Sequence, residues 1–153
     1  MKVIKAERQF ERFEDITPEI LKEEGVKLIL CDLDNTLTNK RLMRCPSENV
    51  GAWVEACREA GVEIVIVTNN TMKKKVREFC QPFKIHSVCA AKKPLSKHLT
   101  ATREKLHMKK EETVMLGDKW STDMVAAKLA GVRAWKVEHR TKLDDLEDND
   151  EEE

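Results

Sequence analysis

The sequence predicts an α/β fold, a three-layer sandwich in which helices cover both faces of a mainly parallel five-stranded sheet. The chain has 153 residues, which is the size of one domain. Short apolar runs alternate along it with segments of helical periodicity, as in folds built from strand-helix-strand units. The runs are almost continuously apolar, which is typical of strands covered on both faces. The predicted strands are residues 26–32, 63–68, 86–90, 112–118 and 132–137.

Residues that favour helix ends separate these strands. Near the N-terminus, Thr17-Pro18 and Gly25 mark the start and stop of a short helix, within a helical lead-in of about residues 1–25. The other predicted helices are residues 48–60 between Ser47 and Gly61, residues 72–80 after Thr71, a helix marked by Leu95, Leu99 and Leu106, and residues 122–130 before Gly131. We expect a single domain over residues 1–143.

Composition favours a soluble enzyme or binding protein over a membrane protein. Hydrophobic residues make up 41% of the chain and charged residues 37%, and no apolar run has the length of a membrane span. Nothing at the N-terminus looks like a signal peptide, so we expect a cytoplasmic location. The five cysteines form no CxxC pair and have no zinc-ligand spacing, so we expect reduced thiols.

Charge is distributed unevenly although the formal net charge is zero. Residues 144–153 hold eight of the 28 acidic residues and no lysine or arginine, which predicts a disordered acidic tail. The rest of the chain is therefore basic. A basic body attracts an anionic substrate, an acidic membrane surface or a nucleic acid.

Polar side chains follow four of the predicted strands at the point where each strand ends. Ligands of open α/β sheets bind at the carboxyl ends of the strands, so these groups should meet at one edge. They are Asp32 and Asp34 after the first strand, Thr68 and Asn69 after the second, Lys92 and Lys93 after the third, and Asp118 after the fourth.

Two of these carboxylates have the spacing for a paired-acid site. Asp32 is a candidate nucleophile toward phosphorus, which would divide hydrolysis into formation and hydrolysis of an aspartyl phosphate. Asp34 is a candidate general acid and base. A solvated turn is the alternative for an isolated Asp-x-Asp sequence. Thr68 and Asn69 are candidates for binding phosphoryl oxygens, although such residues also end strands and cap helices.

The remaining groups suit charge neutralisation and metal binding. Lys93, just before Pro94, is the preferred candidate to offset phosphate charge, but spacing alone does not separate it from Lys92. Asp118 is a candidate ligand for Mg²⁺, a hard cation that prefers oxygen donors. Asp123 is interpreted either as a residue that orients the metal site or as an acid in the first turn of a helix.

Taken together, DLDNT, Thr68 after an apolar strand, Lys93-Pro94 and GDKWSTD resemble the haloacid dehalogenase superfamily in order and placement. More narrowly, ITPEILKEEGVKLILCDLDNTL with VTNN and AAKKP is similar to the YqeG-type phosphatases, whose eukaryotic relatives include mitochondrial phosphatidylglycerophosphate phosphatase. The resemblance covers about residues 15–137 and implies a Rossmann-like fold. It implies that Asp32 is the nucleophile, Asp34 the acid and base, Thr68 and Lys93 the phosphate-binding pair, and that Mg²⁺ is bound by Asp32, Asp118 and the backbone carbonyl of Asp34.

Many members of the superfamily carry a cap domain that closes over a small substrate. Here residues 37–62 and 71–91 leave no room for one, so we expect an open site that acts on a phosphate of a large or exposed partner. Phosphatidylglycerophosphate is the preferred substrate, and a phosphoprotein, a nucleotide or a nucleic-acid end are alternatives. Peripheral membrane contact would follow if the apolar N-terminal side chains formed an interfacial face, whereas the alternative is that they pack against the sheet. Those side chains are Phe10, Phe13, Ile16, Ile20 and Leu21.

Two rival functions use the same fold. One is a non-catalytic module that binds phosphate or a protein, which the retention of both Asp32 and Asp34 disfavours. The other is a phosphotransferase that passes the phosphoryl group to an acceptor other than water.

Overall fold

The computed structural model of the chain describes residues 6–38 and 48–140. Within them, six strands form one parallel sheet in the order β1-β6-β5-β2-β3-β4. The strands are β1 (Arg8–Phe10), β2 (Leu28–Cys31), β3 (Glu63–Val67), β4 (His86–Val88), β5 (Thr113–Gly117) and β6 (Arg133–Val137). The helices are α1 (Pro18–Glu23), α2 (Glu48–Glu59), α3 (Lys73–Cys80), α4 (Lys97–Lys105) and α5 (Val125–Ala130), and the wide π-helical turn Trp120–Met124 precedes α5.

The predicted fold class is confirmed, and each of the five predicted strands contains an observed strand. The strand count is corrected to six by β1, a three-residue edge strand paired with β6. Its sequence, Arg-Gln-Phe, contains no apolar run, so the pattern that predicts the other strands does not mark it. An edge strand this short is buried through contacts with its neighbours. Phe10 packs on Trp135 with ring centroids 5.3 Å apart. The lead-in therefore contains a strand as well as the expected helix.

Alternate side chains of the central strands point into two apolar layers. On one face, Ile29 and Ile66 pack with residues of α2, α3 and the N-terminal lead-in. On the other, Leu30 and Val67 pack with residues of α4 and α5. The period of two along a strand thus produces the three-layer sandwich that the sequence predicts.

Several predicted helix ends are observed, and one is corrected. The Thr17 hydroxyl accepts a hydrogen bond from the Ile20 amide at 3.3 Å and caps α1. Gly61 adopts a left-handed φ of +77° after α2. Thr71 does not cap α3, because the side-chain oxygen of Asn70 accepts the Met72 amide at 2.8 Å instead. The predicted cap Ser47 lies outside the described residues.

The apolar side chains of the lead-in belong to the core. Phe13, Ile16 and Leu21 are at most 1% exposed, and Phe13 meets Trp53 edge to face at 5.2 Å. Trp53 also donates its indole N–H to the carbonyl of Ile16 at 3.1 Å. Packing against the sheet, and not an interfacial face, is therefore the role of these three residues.

The connections near the carboxyl edge of the sheet are short. Between β3 and β4 the chain forms α3 and one 3-10 turn, Gln81–Phe83. Between β2 and α2 the structure describes a tight loop to Thr38 and resumes at Glu48. Neither connection is long enough for a separate cap domain. Among the described helices, none combines the length and apolarity needed to cross a membrane. The predicted tail 144–153 and Cys45 lie outside the described residues, while Cys31, Cys57, Cys80 and Cys89 are free thiols.

Replacing Phe13 by alanine should destabilise the protein by about 3–5 kcal/mol, since it empties a fully buried aromatic position in the lead-in. The matched substitution Leu129→Ala, at a side chain that is 62% exposed, should change stability by no more than about 0.5 kcal/mol. Urea unfolding of both variants measures the difference. Equal, small effects would mean that the lead-in is not part of the core.

Candidate active site

A cavity of about 440 Å³ lies at the carboxyl edge of the sheet. Loops that follow β2, β3, β4 and β5 meet there, as expected for an open parallel sheet. The cavity is lined by Asp32, Asp34, Asn35, Thr68, Asn69, Asn70, Met72, Lys93, Lys119 and Thr122. Five of these were predicted from the sequence as site residues.

The loop after β2 turns sharply enough to direct two carboxylates toward the cavity. The carbonyl of Leu33 accepts hydrogen bonds from the amides of Thr36, Leu37 and Thr38, at 3.1–3.3 Å. Asn35 adopts a left-handed φ of 63°, which asparagine tolerates better than most residues with a side chain. Leu33 is fully buried in the core. The residues on either side of it, Asp32 and Asp34, line the cavity.

Lys93 forms the central ion pairs of the site. Its ammonium group lies 2.9 Å from a carboxylate oxygen of Asp32 and 2.6 Å from one of Asp123. Its side chain is only 2% exposed. Burial lowers the pKa of Lys93, but the two carboxylate charges outweigh it and raise the pKa above its usual value, so the lysine remains charged.

The loop after β4 explains why Lys93, and not Lys92, reaches the site. Lys92 has a left-handed φ of 56° and an exposed side chain, while the next residue points inward. The Asn69 side chain accepts the Lys93 amide at 2.7 Å and donates to the Lys93 carbonyl at 3.0 Å. Asn69 therefore holds the backbone of the lysine, and its predicted contact with phosphate stays a prediction.

Asp118 lies beside Asp32 because β2 and β5 are neighbours in register, with Cys31 opposite Leu116. The Thr36 hydroxyl lies 3.4 Å from a carboxylate oxygen of each aspartate. In the described chain, the second side-chain oxygen of Asp118 is buried without a hydrogen-bond partner. An unpartnered, buried carboxylate oxygen is costly unless a cation binds it.

Negative charge exceeds positive charge in this cluster. Burial, and then the charge of Asp123, raise the pKa of Asp32 to about 8, while Lys93 opposes the rise. Burial and the charge of Asp123 also raise the pKa of Asp118. Three buried acidic groups thus face one ammonium group, and a bound divalent cation would favour the charged forms of Asp32 and Asp118.

Asp123 is 1% exposed and is held by the turn before α5. One of its carboxylate oxygens binds Lys93, and the other accepts the Lys119 amide at 3.2 Å. The wide π-helical turn Trp120–Met124 brings it inward. A Cβ atom on Gly117 would lie 2.3 Å from its carboxyl carbon, so only glycine fits at the end of β5. Of the two predicted roles for Asp123, orientation of the site agrees with these contacts.

Asp34 is held by a residue that sequence reasoning did not select. The side-chain amide nitrogen of Asn70 donates to a carboxylate oxygen of Asp34 at 3.2 Å. The backbone amide of Asn70 donates to the Thr68 hydroxyl at 3.1 Å. Asn70 therefore joins the predicted acid and base to the predicted phosphate-binding threonine.

The oxygen donors fit a hard divalent cation. Asp32, Asp118 and Asp123 each offer a carboxylate oxygen, and these oxygens lie within 4.8 Å of one another. Both oxygens of Asp123 already have partners, whereas Asp118 has one without. Among the described hydrogen bonds, the second oxygen of Asp32 has only the Thr36 hydroxyl, at 3.4 Å, so Asp118 and Asp32 are the better placed ligands.

Three further residues contribute to the site without having been predicted: Thr36, Asn70 and Lys119. The spacing of Thr36, four residues after Asp32 in a tight turn, is a signal that could have identified it. Trp120, two residues after Asp118, is 40% exposed and packs under the Lys136 ammonium group at 5.4 Å. It does not line the cavity.

A family model described as haloacid dehalogenase-like hydrolase matches residues 44–137, which is more than half of the chain. The chain belongs to this family of hydrolases. Within it, the chain is similar to the probable phosphatase YqeG of Bacillus subtilis, with 35% identity over 116 residues. The match covers 76% of this chain and 66% of that relative, just under two thirds of its length. The predicted resemblance is confirmed: the family is one of hydrolases, and the relative is a probable phosphatase, in agreement with the predicted class.

Solved structures agree with the fold. One is the putative 3-deoxy-D-manno-octulosonate 8-phosphate phosphatase of Vibrio cholerae, with a TM-score of 0.57, 19% identity, and coverage of 75% of this chain and 67% of that one. Another is the 3-deoxy-D-manno-octulosonate 8-phosphate phosphatase of Moraxella catarrhalis in complex with magnesium ion, phosphate ion and the sugar acid, with a TM-score of 0.50 and 18% identity. The latter match covers 65% of this chain and 62% of that one.

Gly117→Ala should disrupt the site although it removes no functional group. The added methyl group would collide with buried Asp123, which must then move away from Lys93. We expect stability to fall by about 1–3 kcal/mol, as in overpacked cores, and phosphatase activity to fall at least about tenfold. Gly51→Ala on α2 is the control, because its Cβ would contact the Phe83 ring at 3.3 Å and neither residue lines the cavity. Full activity in Gly117→Ala would contradict the tight packing described here.

Proposed function

We propose that the chain is a Mg²⁺-dependent phosphatase that hydrolyses phosphate monoesters through an aspartyl phosphate on Asp32. The observation that carries the proposal is the contact of Asp32 with buried Lys93, beside an Asp118 oxygen that has no partner. A site that only bound phosphate would gain nothing from this excess of carboxylates, because they repel an anion. The family model begins at residue 44, so the roles of Asp32 and Asp34 are supported by geometry and by the resemblance of their motif.

The proposed reaction has two steps. In the first, a carboxylate oxygen of Asp32 attacks phosphorus, the bond to the leaving oxygen breaks, and Asp34 donates a proton to that oxygen. In the second, Asp34 accepts a proton from water as the water attacks phosphorus, which releases phosphate and restores Asp32. Lys93 and the Thr68 hydroxyl offset the charge of the phosphoryl oxygens.

Mg²⁺ would be held by Asp32 and Asp118, with the Asp34 backbone carbonyl as the third ligand that the family resemblance implies. When bound, the ion polarises the phosphoryl group and neutralises part of the excess negative charge. Asp123 keeps Lys93 charged and directed at Asp32. The phosphatase from Moraxella catarrhalis, which shares the fold, was crystallised in complex with magnesium ion, and this supports the choice of metal.

The preferred substrate is a phosphate on a large or exposed partner, such as phosphatidylglycerophosphate. The cavity is open, and the described connections around it carry no cap domain. Exposed lysines, including Lys73, Lys74 and Lys92, occur on segments next to the cavity, and Met72 at its edge is 45% exposed. A rim with basic and apolar side chains suits an anionic lipid surface.

Release of inorganic phosphate tests both the chemistry and the substrate. Wild type should hydrolyse phosphatidylglycerophosphate in mixed micelles with Mg²⁺ but not with EDTA, and Asp32→Asn should lose at least about 10³-fold in kcat, since it lacks the nucleophile. Glu78→Gln, an exposed change on α3, is the control and should remain active.

The water-soluble head group of the same lipid, glycerophosphoglycerophosphate, separates the substrate classes. A higher kcat/KM for the lipid supports a membrane substrate, and equal values mean that only the phosphate ester is recognised. Phosphopeptides and nucleotides complete the panel. Activity of Asp32→Asn equal to wild type on the best substrate would reject the mechanism.

A further inference from the structure

The side chain of Asn70 forms hydrogen bonds through both its oxygen and its NH₂ group, to two different segments of the chain. Its side-chain oxygen accepts the Met72 amide at the start of α3, at 2.8 Å. A backbone amide is always a donor, so this contact fixes which end of the Asn70 side chain is oxygen. The NH₂ group must then face Asp34, at 3.2 Å from one carboxylate oxygen.

The backbone of Asn70 is also engaged at both polar atoms. Its amide donates to the Thr68 hydroxyl at 3.1 Å, and its carbonyl accepts the Ala90 amide at 3.0 Å. The residue is thus anchored to Thr68 just after β3, to the start of α3 and to the loop that leads to Lys93. A side chain held at so many points keeps one orientation, as a group that positions a reacting carboxyl must.

We propose that Asn70 is a positioning residue that orients Asp34 as the general acid of the reaction. The inference rests on the proposed phosphatase function. An amide NH₂ group donates hydrogen bonds and does not accept them. When Asp34 carries a proton, its carbonyl oxygen is the stronger acceptor for the Asn70 NH₂ group, which favours the proton on the other oxygen. Asn70 therefore selects the oxygen that protonates the leaving group.

The proton balance of the first step makes this orientation important for some substrates and not for others. As the bond from Asp32 to phosphorus forms and the bond to the leaving oxygen breaks, an alkoxide would form unless Asp34 supplies a proton. Alkyl phosphates need that proton because an alkoxide is a poor leaving group. Aryl phosphates with acidic phenols, such as 2,4-dinitrophenyl phosphate, need it far less, since the phenolate leaves unaided.

The test compares kcat/KM for glycerol 3-phosphate, or the best alkyl ester of the panel, with kcat/KM for 2,4-dinitrophenyl phosphate. This ratio reports phosphorylation of the enzyme and excludes the later hydrolysis step. Asn70→Asp keeps an oxygen for the Met72 amide but removes the donor to Asp34. Asn70→Ala removes the donor without adding charge or another hydrogen-bonding group. Both should lower kcat/KM for the alkyl ester about 10- to 100-fold and for the aryl ester by less than about threefold.

Asp118→Asn serves as the comparison, because weaker binding of the metal should reduce both esters by similar factors, and among the described hydrogen bonds Asp118 is linked to Thr36 and not to Asn70. Thermal unfolding shows whether each variant is folded. Equal losses on both esters in the two folded Asn70 variants, or no loss on either, would overturn the inference while leaving the phosphatase mechanism in place. Failure of the wild type to release phosphate from any ester with Mg²⁺ would instead reject the proposed function, and the inference with it.

Discussion

The site depends on one buried ammonium group placed among three carboxylates. Lys93 contacts Asp32 and Asp123, and Asp118 lies close enough to share a cation with both. A buried ion pair is stabilising only when its geometry and hydrogen bonds compensate for lost hydration. Here the Asn69 side chain holds the backbone of Lys93. The Lys119 amide donates to Asp123, the second carboxylate that contacts the lysine. The remaining negative charge is what makes the site suitable for a divalent metal ion.

Strand order brings these groups together. β2 lies in the middle of the sheet, with β5 on one side and β3 on the other, and all three run in the same direction. The nucleophile candidate Asp32 therefore has the metal-ligand candidate Asp118 on one side and Thr68 on the other. Because the side chains of these strands alternate between two packed layers, a one-residue shift in register would exchange the layers, and this fixes the relative positions of the functional side chains.

Part of the site could be predicted from the sequence, because some of its residues lie at the ends of predicted strands. Asp32, Thr68 and Asp118 each stand where an apolar run stops, and parallel strands bring such positions to one edge. The choice between Lys92 and Lys93 could not be made this way, because it depends on the left-handed backbone of Lys92. The role of Asp123 depends on a π-helical turn, which has no clear sequence pattern.

Other features depended on contacts that are distant in sequence. The edge strand β1 is polar and gains its place only from pairing with β6. Asn70 follows the predicted pair Thr68 and Asn69, and its importance comes from reaching Asp34, 36 positions away. Phe13 and its neighbours are apolar enough for either a membrane face or a core, and only their burial against Trp53 and the sheet decides between the two.

Chemical trapping tests the central claim, that Asp32 becomes phosphorylated, most directly. Borohydride reduces an acyl phosphate to an alcohol, so quenching the enzyme during turnover with borohydride should convert the phosphorylated aspartate to homoserine. The account predicts homoserine at position 32 of the digested protein, dependent on both substrate and Mg²⁺. Homoserine at another aspartate, or turnover with no homoserine at any position, would contradict it.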